Sequence, residues 1–378
     1  MNDSNKRLLS LDVMRGMTIA AMILVNMPGS WDFLYAPLSH AKWDGLTPTD
    51  VIFPFFMFMV GTSMVFGLKK MQTQDFRTSL FKIWKRAFLL IFIGWFIHAL
   101  PGMIAQLGDW TWSTSRIPGV LQRIGLAYGI AATLAIKFSP KVIFHISWVT
   151  LLAYWGILEF GSDSLSAQDS IVRAVDIAVF GESHIWAIQT EAGKVAFDPE
   201  GLLSTMPSVV TILIGLWAGF LVKSPKSLES KMAEIAAIGT ILTLLGIAWH
   251  GMLPINKALW TPSYVLVTGG IGMLILFLLT WMIDFKGWKS WTGPFVVYGS
   301  NALFVYCLAE FWAGAMWTFI KFPNPNGEWT LAYLGLWNSI FQPTFGDYFG
   351  SFMFAIIHVV GFWLILIPLY KKKIFIKI

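Results

Sequence analysis

The sequence predicts an all-α, polytopic membrane bundle of about ten transmembrane helices with both termini on the cytoplasmic side, and three observations carry that prediction. Of its 378 residues 56% are hydrophobic and only 13% are charged, whereas a soluble domain needs about 25% charged residues to cover its surface. The apolar residues gather into about ten stretches of the roughly 17 to 25 residues that cross a bilayer. Lysine and arginine then concentrate in every second connection, as the positive-inside rule requires. An ordinary soluble globule is excluded, and so is a disordered chain, which would be poor in apolar and aromatic residues.

The stretches run over 10–28, 51–68, 84–100, 118–137, 141–158, 205–222, 232–249, 262–284, 294–320 and 351–370. The first follows Lys6 and Arg7, but Asp12 and Arg15 interrupt it and no small-residue cleavage site follows, so it reads as a helix and not a secretory leader. The second opens directly after Asp50, with Pro54 in its first turns, and the third follows the basic connection between Lys69 and Arg86. Pro118 suits the first turn of the fourth, and Lys137 and Lys141 divide the fourth from the fifth. Lys223, Lys226 and Lys231 separate the sixth and seventh, Lys286 and Lys289 follow the eighth, and Lys371, Lys372, Lys373 and Lys377 follow the tenth. The run 331–341 is too short to span, and reads as a re-entrant or interfacial segment that would make an eleventh element. With the N-terminus inside, the inner side holds 20 of the 27 Lys and Arg and 6 of the 21 Asp and Glu, a net +14, against −8 outside. The pI near 9.2 therefore calls for no nucleic-acid partner. The lone Cys307 excludes an intramolecular disulfide framework and a cysteine metal cluster; within an apolar run it reads as a packing residue, with a thioester carrier as the alternative. No His/Asp/Glu spacing calls for a metal, and no internal repeat points to a transporter of inverted halves.

The chain reads as one domain, 1–378, with two long outer loops at about 28–49 and 159–204, both carrying Trp, His and carboxylates. Loops of that length in a compact protein are usually functional or disordered, and their aromatic content argues against disorder. In the first helix Asp12 and Arg15 form an i, i+3 pair. Arg15 and Asn26 are eleven residues apart, hence about 20° past three full turns and about 16 Å along one stripe. The stripe is either a snorkelling arginine plus an interhelical asparagine or a functional path. In the first loop His40 can accept a proton near neutral pH, and Asp50 can orient it or simply complement a helix N-terminus. Arg116 and Arg123, seven residues apart, share a helix face; they anchor Asp50, Asp198 or Glu200, or contact a substrate. His184, Trp186 and the run 197–201 combine aromatic faces and carboxylates, as a sugar-binding lining or as a cap on the bundle. Asn256 and Lys257 are further candidates at the outer mouth.

These motifs resemble the heparan-α-glucosaminide N-acetyltransferase family. The resemblance is carried by Asp12-Val-Met-Arg15-Gly16, Val25-Asn26, His40-Ala-Lys-Trp43-Asp-Gly45-Leu46-Thr47 and Asp50-Val-Ile-Phe-Pro54. It continues through Arg116-Ile-Pro118-Gly119-Val-Leu-Gln122-Arg123-Ile-Gly125, Phe197-Asp198-Pro199-Glu200-Gly201-Leu202, Pro254-Ile-Asn256-Lys257-Ala-Leu-Trp260 and the tail from Lys371. It implies an inner-membrane enzyme that takes acetyl-CoA from the cytosolic side and acetylates the amine of a glucosamine-type amino sugar or glycan on the periplasmic side, without a metal. It implies His40 as the catalytic base, Asn26 at the acetyl group and Asp50 as the acidic partner. Arg15 and Asp12 then serve the CoA end, while Arg116, Arg123, Asp198, Glu200, Trp43 and Lys257 serve the acceptor. An acetyl-His intermediate and direct transfer both stay open. A homodimer in the lipid bilayer is implied by the resemblance only. Of two departures from the lysosomal enzyme, a missing N-terminal lumenal region points to a bacterial-type member with no heparan to act on, and Ala309 in place of the histidine of a His-Glu pair leaves Glu310 without an implied role. An amino-sugar permease or sensor, and an O-acetyltransferase of a glycan hydroxyl, are the competing functions.

Overall fold

The computed structural model describes residues 8–106, 111–190, 193–324 and 326–376. Of the charges counted above, those of Asp3, Lys6, Arg7, Asp109, Glu191 and Lys377 lie outside the described residues. In chain order the helices of the first half are α1 (Leu9–Asn26), α2 (Ile52–Gln72), α3 (Phe76–Ala105), α4 (Val120–Lys137), α5 (Pro140–Gly161) and α6 (Ile171–Phe180). The second half has α7 (Thr205–Lys223), α8 (Leu228–His250), α9 (Pro262–Leu279), α10 (Gly293–Ser300), α11 (Ala302–Thr318), α12 (Ala332–Leu336), α13 (Gln342–Phe345) and α14 (Asp347–Lys371). Among the described residues nine helices are long and apolar enough to cross a bilayer, and the bent pair α10–α11 makes a tenth if it counts as one span. The chain is thus an all-α, multi-pass membrane bundle.

Two boundaries differ from the hydropathy reading. The stretch 294–320 is not one straight helix: α10 and α11 meet at 83°. Asn301 at the break leaves helical geometry (φ −130°, ψ 41°), and its side chain holds the chain tail, donating to the Ile374 carbonyl at 3.0 Å and accepting from the Ile376 amide at 2.8 Å. Helix α3 starts at Phe76, ahead of the apolar stretch, because Asp75 caps it by accepting from the Thr78 amide at 3.0 Å. Lys82, Lys85 and Arg86 therefore ride on a helix.

Glycine sets the position of α1 within the bundle. A Cβ on Gly16 would stand 1.8 Å from the Phe295 carbonyl oxygen, and one on Gly299 would stand 2.3 Å from that of Asp12. Backbones approach this closely in membranes only where one partner lacks a side chain, so α1 and α10 are locked together and the stripe from Arg15 to Asn26 has a fixed azimuth.

At the end of the bundle where α1 finishes, the connections are folded. The loop between α5 and α7 contains α6 and a hairpin of β1 (Ala187–Thr190) and β2 (Gly193–Ala196), paired Ala187 to Ala196 through Thr190 to Gly193. It has its own small core of Tyr154, Leu158, Val172, Phe197, Leu253 and Leu259. The run 331–341 follows a second hairpin, β3 (Lys321–Pro323) with β4 (Trp329–Leu331), and folds as α12 plus a π-helical turn Trp337–Phe341. Tyr333 in it donates to the Pro28 carbonyl and stacks on Trp317 at 4.4 Å. This segment caps α1.

Candidate active site

Ten residues of loop bring His40 back onto Asp50. The Asp50 carboxylate is 1% exposed and takes its shape from the turn beside it: Oδ2 accepts from the amides of Ala41 (3.1 Å) and Thr47 (3.0 Å) and from Thr47 Oγ1 (2.9 Å). Oδ1 lies 2.6 Å from His40 Nδ1. A carboxylate anion only accepts, so His40 carries its proton on Nδ1 and keeps the Nε2 lone pair for other work. Burial alone would raise the Asp50 carboxyl, but the His40 hydrogen bond, the Lys257 charge and the two amides outweigh it and hold it at about 2.

Lys257 comes from the turn between α8 and α9. Its Nζ lies 3.1 Å and 3.4 Å from the two His40 ring nitrogens and 3.8 Å from Asp50 Oδ1. Burial lowers its ammonium below the usual lysine range, against the pull of Asp50 and Glu200. The neighbouring Asn256 fixes the turn to the first loop, donating to the Trp43 carbonyl (3.1 Å) and to Asp44 Oδ1 (3.0 Å) and accepting from the Leu259 amide (2.8 Å). Tyr264 adds a bond to the Asp50 carbonyl at 2.6 Å.

His40 and Asn26 line one cavity of about 430 Å³, with Met22 and Ile23 of α1, His98 of α3, Trp31, Arg116, Trp186 and Glu200 from the loops, and Tyr306 and Glu310 of α11. Arg116 is held as a fork: Nε donates to Asp198 Oδ2 at 2.8 Å, and Nη2 donates to Asp198 Oδ1 and Glu200 Oε2, both at 2.6 Å. Burial works against the guanidinium charge, yet the two carboxylates push its pKa up, and Asp198 is held down by Arg116 and two amides despite its own burial. The Trp186 ring lies 5.3 Å beneath the guanidinium.

A second cavity of about 400 Å³ opens toward the opposite end and is lined by Arg15, Ser63, Arg86, Tyr128, Ala302 and Leu303 among others. Arg15 donates to Ser63 Oγ at 2.6 Å and to Asp12 Oδ1 at 3.2 Å, and Arg86 sits 5.0 Å over the Tyr128 ring. Helices α1 and α11 contribute to both cavities, Arg15 and Leu303 to this one and Asn26 and Glu310 to the other.

Of the residues singled out in the sequence, Asn26, His40, Arg116 and Glu200 line the first cavity; Asp50 and Lys257 touch His40, and Asp198 holds Arg116. Asp12 and Arg15 stand together at the second. Arg116 precedes α4, which begins at Val120, so it and Arg123 do not share a helix face as their spacing predicts, and Arg123 and Trp43 line neither cavity. Arg123, 1% exposed, lies 4.9 Å over Trp260 and donates to the Gly201 carbonyl at 3.1 Å and to Ser204 Oγ. Trp43 donates to the Leu165 carbonyl at 2.9 Å and packs edge-on against Phe197. His98, Tyr306, Trp31, Ser63 and Arg86 were not singled out. A histidine inside the apolar stretch 84–100 was the available signal, because ionisable groups at membrane depth are costly and usually have a task. Among the described residues no group of three His, Cys, Asp or Glu side chains is placed to hold a metal ion.

Comparison with known proteins extends this geometry. Residues 7–251 match the family model described as heparan-alpha-glucosaminide N-acetyltransferase, catalytic. The human heparan-alpha-glucosaminide N-acetyltransferase is 31% identical over 357 residues, covering 79% of this chain and 52% of the relative; the mouse protein is 32% identical over 358 residues, covering 80% and 53%. The chain thus spans about half the length of the curated relatives it matches. Fold and match together place the chain in the class of multi-pass membrane proteins. Within that class, the chain belongs to the heparan-alpha-glucosaminide N-acetyltransferase family.

Proposed function

We propose that the protein is an acetyltransferase that moves the acetyl group of acetyl-CoA, entering from the Arg15 end, to the amine of a glucosamine-type sugar or glycan entering from the His40 end. The observation that carries this reading is that His40 shares a cavity with Asn26, which ends the α1 stripe whose other end, at Arg15, lines the second cavity. The division of charge along the sequence supports the Arg15 end as cytoplasmic and the His40 end as periplasmic, in an inner membrane.

Arg15 and Arg86, with the basic connections beyond them, attract the phosphates of CoA; Asp12 orients Arg15. The pantetheine arm follows α1, and the thioester meets Asn26. The acceptor nitrogen forms its bond to the thioester carbon, His40 Nε2 takes the N–H proton, and the C–S bond breaks to release CoA thiolate, which is then protonated. The Asn26 amide donates to the oxyanion, a contribution worth about 3 kcal/mol for a single donor. Asp50 keeps His40 in the productive tautomer. Arg116, held by Asp198 and Glu200, and the face of Trp186 shape the acceptor end, and Lys257 closes the mouth over His40; Arg123 and Trp43 support that end from behind.

Incubating the purified protein with acetyl-labelled CoA and a panel of amino sugars tests the reading. Label appears on the sugar amine with wild type and not with His40→Ala. Label on hydroxyls of neutral sugars alone turns the reading to O-acetylation, and sugar flux into vesicles without transfer turns it to a permease.

A further inference from the structure

The first cavity contains a second histidine–carboxylate pair that the mechanism above leaves idle. His98 Nδ1 lies 2.7 Å from the Gly94 carbonyl, and a carbonyl only accepts, so the proton sits on Nδ1 and Nε2 carries a lone pair. That Nε2 faces Glu310 Oε2 at 3.9 Å, too far for a hydrogen bond. With His98 neutral and Glu310 ionised, two acceptors therefore face one another with no hydrogen between them. One turn earlier on α11, Tyr306 lines the same cavity, is 4% exposed, and its hydroxyl has no partner among the described residues.

The other carboxylates around this cavity are committed: Asp198 and Glu200 to Arg116, Asp50 to His40 and two amides. Glu310 makes no hydrogen bond among the described residues, and the charged groups that act on it are His98 from α3, Arg116 ahead of α4 and Glu200 behind the hairpin. Tyr306 and Cys307 are its titratable neighbours on α11 itself, and from α1 the cavity receives Asn26, which does not titrate. Since Arg116 is neutralised by two acids, the space before Glu310 favours a cation.

We infer that Glu310, His98 and Tyr306 form the subsite that binds the acceptor as its ammonium and removes the first of its two protons. The inference rests on the acetyl-transfer reading above. An ammonium has three N–H donors, which matches a carboxylate oxygen and an imidazole nitrogen 3.9 Å apart with a hydroxyl nearby. The proton count agrees. Converting R–NH₃⁺ and a thioester to an amide removes two protons from nitrogen: the first passes to His98 Nε2 beside the Glu310 charge, and the free amine attacks. The second passes to His40. One of the two ends on the CoA thiolate and the other leaves to solvent. A hydroxyl acceptor would need only one base, and the cavity has two.

The test measures acetyl transfer to glucosamine from below to above the pKa of its amine. Below it, Glu310→Gln raises the glucosamine KM tenfold or more with the acetyl-CoA KM unchanged within about twofold; Tyr306→Phe raises it less, and His98→Gln lowers kcat. All three effects shrink above that pKa, where the acceptor arrives neutral. A glucosamine KM for Glu310→Gln equal to wild type at every pH overturns the subsite. Wild type supplies a control that needs no variant: N,N-dimethylglucosamine should compete with glucosamine at least tenfold better than glucose does below its own pKa, and equal competition also overturns the inference. If wild type transfers no acetyl group to any amine, it is the underlying reading that fails.

Discussion

The two cavities are nearly equal in size, about 430 and 400 Å³, and share α1 and α11 as walls, yet they are built in opposite ways. At the His40 end the polar groups and the partners that hold them come from four connections: Asp50 is held by its own turn, Asn256 by the first loop, and Arg116 by Asp198 and Glu200. At the Arg15 end the cations ride on transmembrane helices, with Ser63 and Asp12 as neighbours to Arg15 and an aromatic face under Arg86. A group that handles protons must be held within a few tenths of an ångström of its target. Phosphates are attracted by charge, which tolerates looser placement. Under the proposed function, the folded loops would supply precise geometry and the helix ends affinity.

Substitutions at the two ends should therefore fail differently. The largest effect is expected for His40→Ala, a loss of about 10³-fold or more in kcat with the acetyl-CoA KM nearly unchanged. Next, Asn26→Ala should lower kcat by about 10²-fold and leave both KM values close to wild type. Arg15→Met should instead raise the acetyl-CoA KM by about tenfold, the worth of one charge-assisted contact, while kcat holds; a collapse of kcat would break the comparison. Lys257→Met removes a cation 3.1 Å from the imidazole. The mouth then loses the cation that closes it, so the acceptor KM should rise by about tenfold, the worth of one charged contact, while the acetyl-CoA KM holds. Lys257→Arg should restore it.

A smaller effect concerns stability. Asp50 is held at about 2, below its ordinary 3.8. Its native interactions are therefore fully present above about pH 4 and are lost as pH falls toward 2, a difference of about 2 kcal/mol. Thermal unfolding in detergent should show a drop in midpoint between pH 4 and pH 2 that is reduced in Asp50→Asn.

What could be read from the sequence follows from how local each feature is. The spans were legible because a bilayer imposes a length on every apolar run. The pair His40 and Asp50 was legible because both lie in one loop, ten residues apart. The break at Asn301 was not, since a single polar residue barely alters a hydropathy average and the groups that satisfy it, Ile374 and Ile376, lie more than seventy residues away. Nor did spacing reveal that His98 faces Glu310, 212 positions on. The placement of Arg123 depended on Gly201 and Ser204, and only the folded loop brings them to it.

In the proposed reaction donor and acceptor reach one site from opposite ends of the bundle. Proteoliposomes of uniform orientation, with acetyl-labelled CoA confined to the Arg15 side and glucosamine to the other, test it most directly. Wild type should give N-acetylated sugar in the glucosamine compartment, and His40→Ala should give none. Product formed only when both substrates share one side would contradict it.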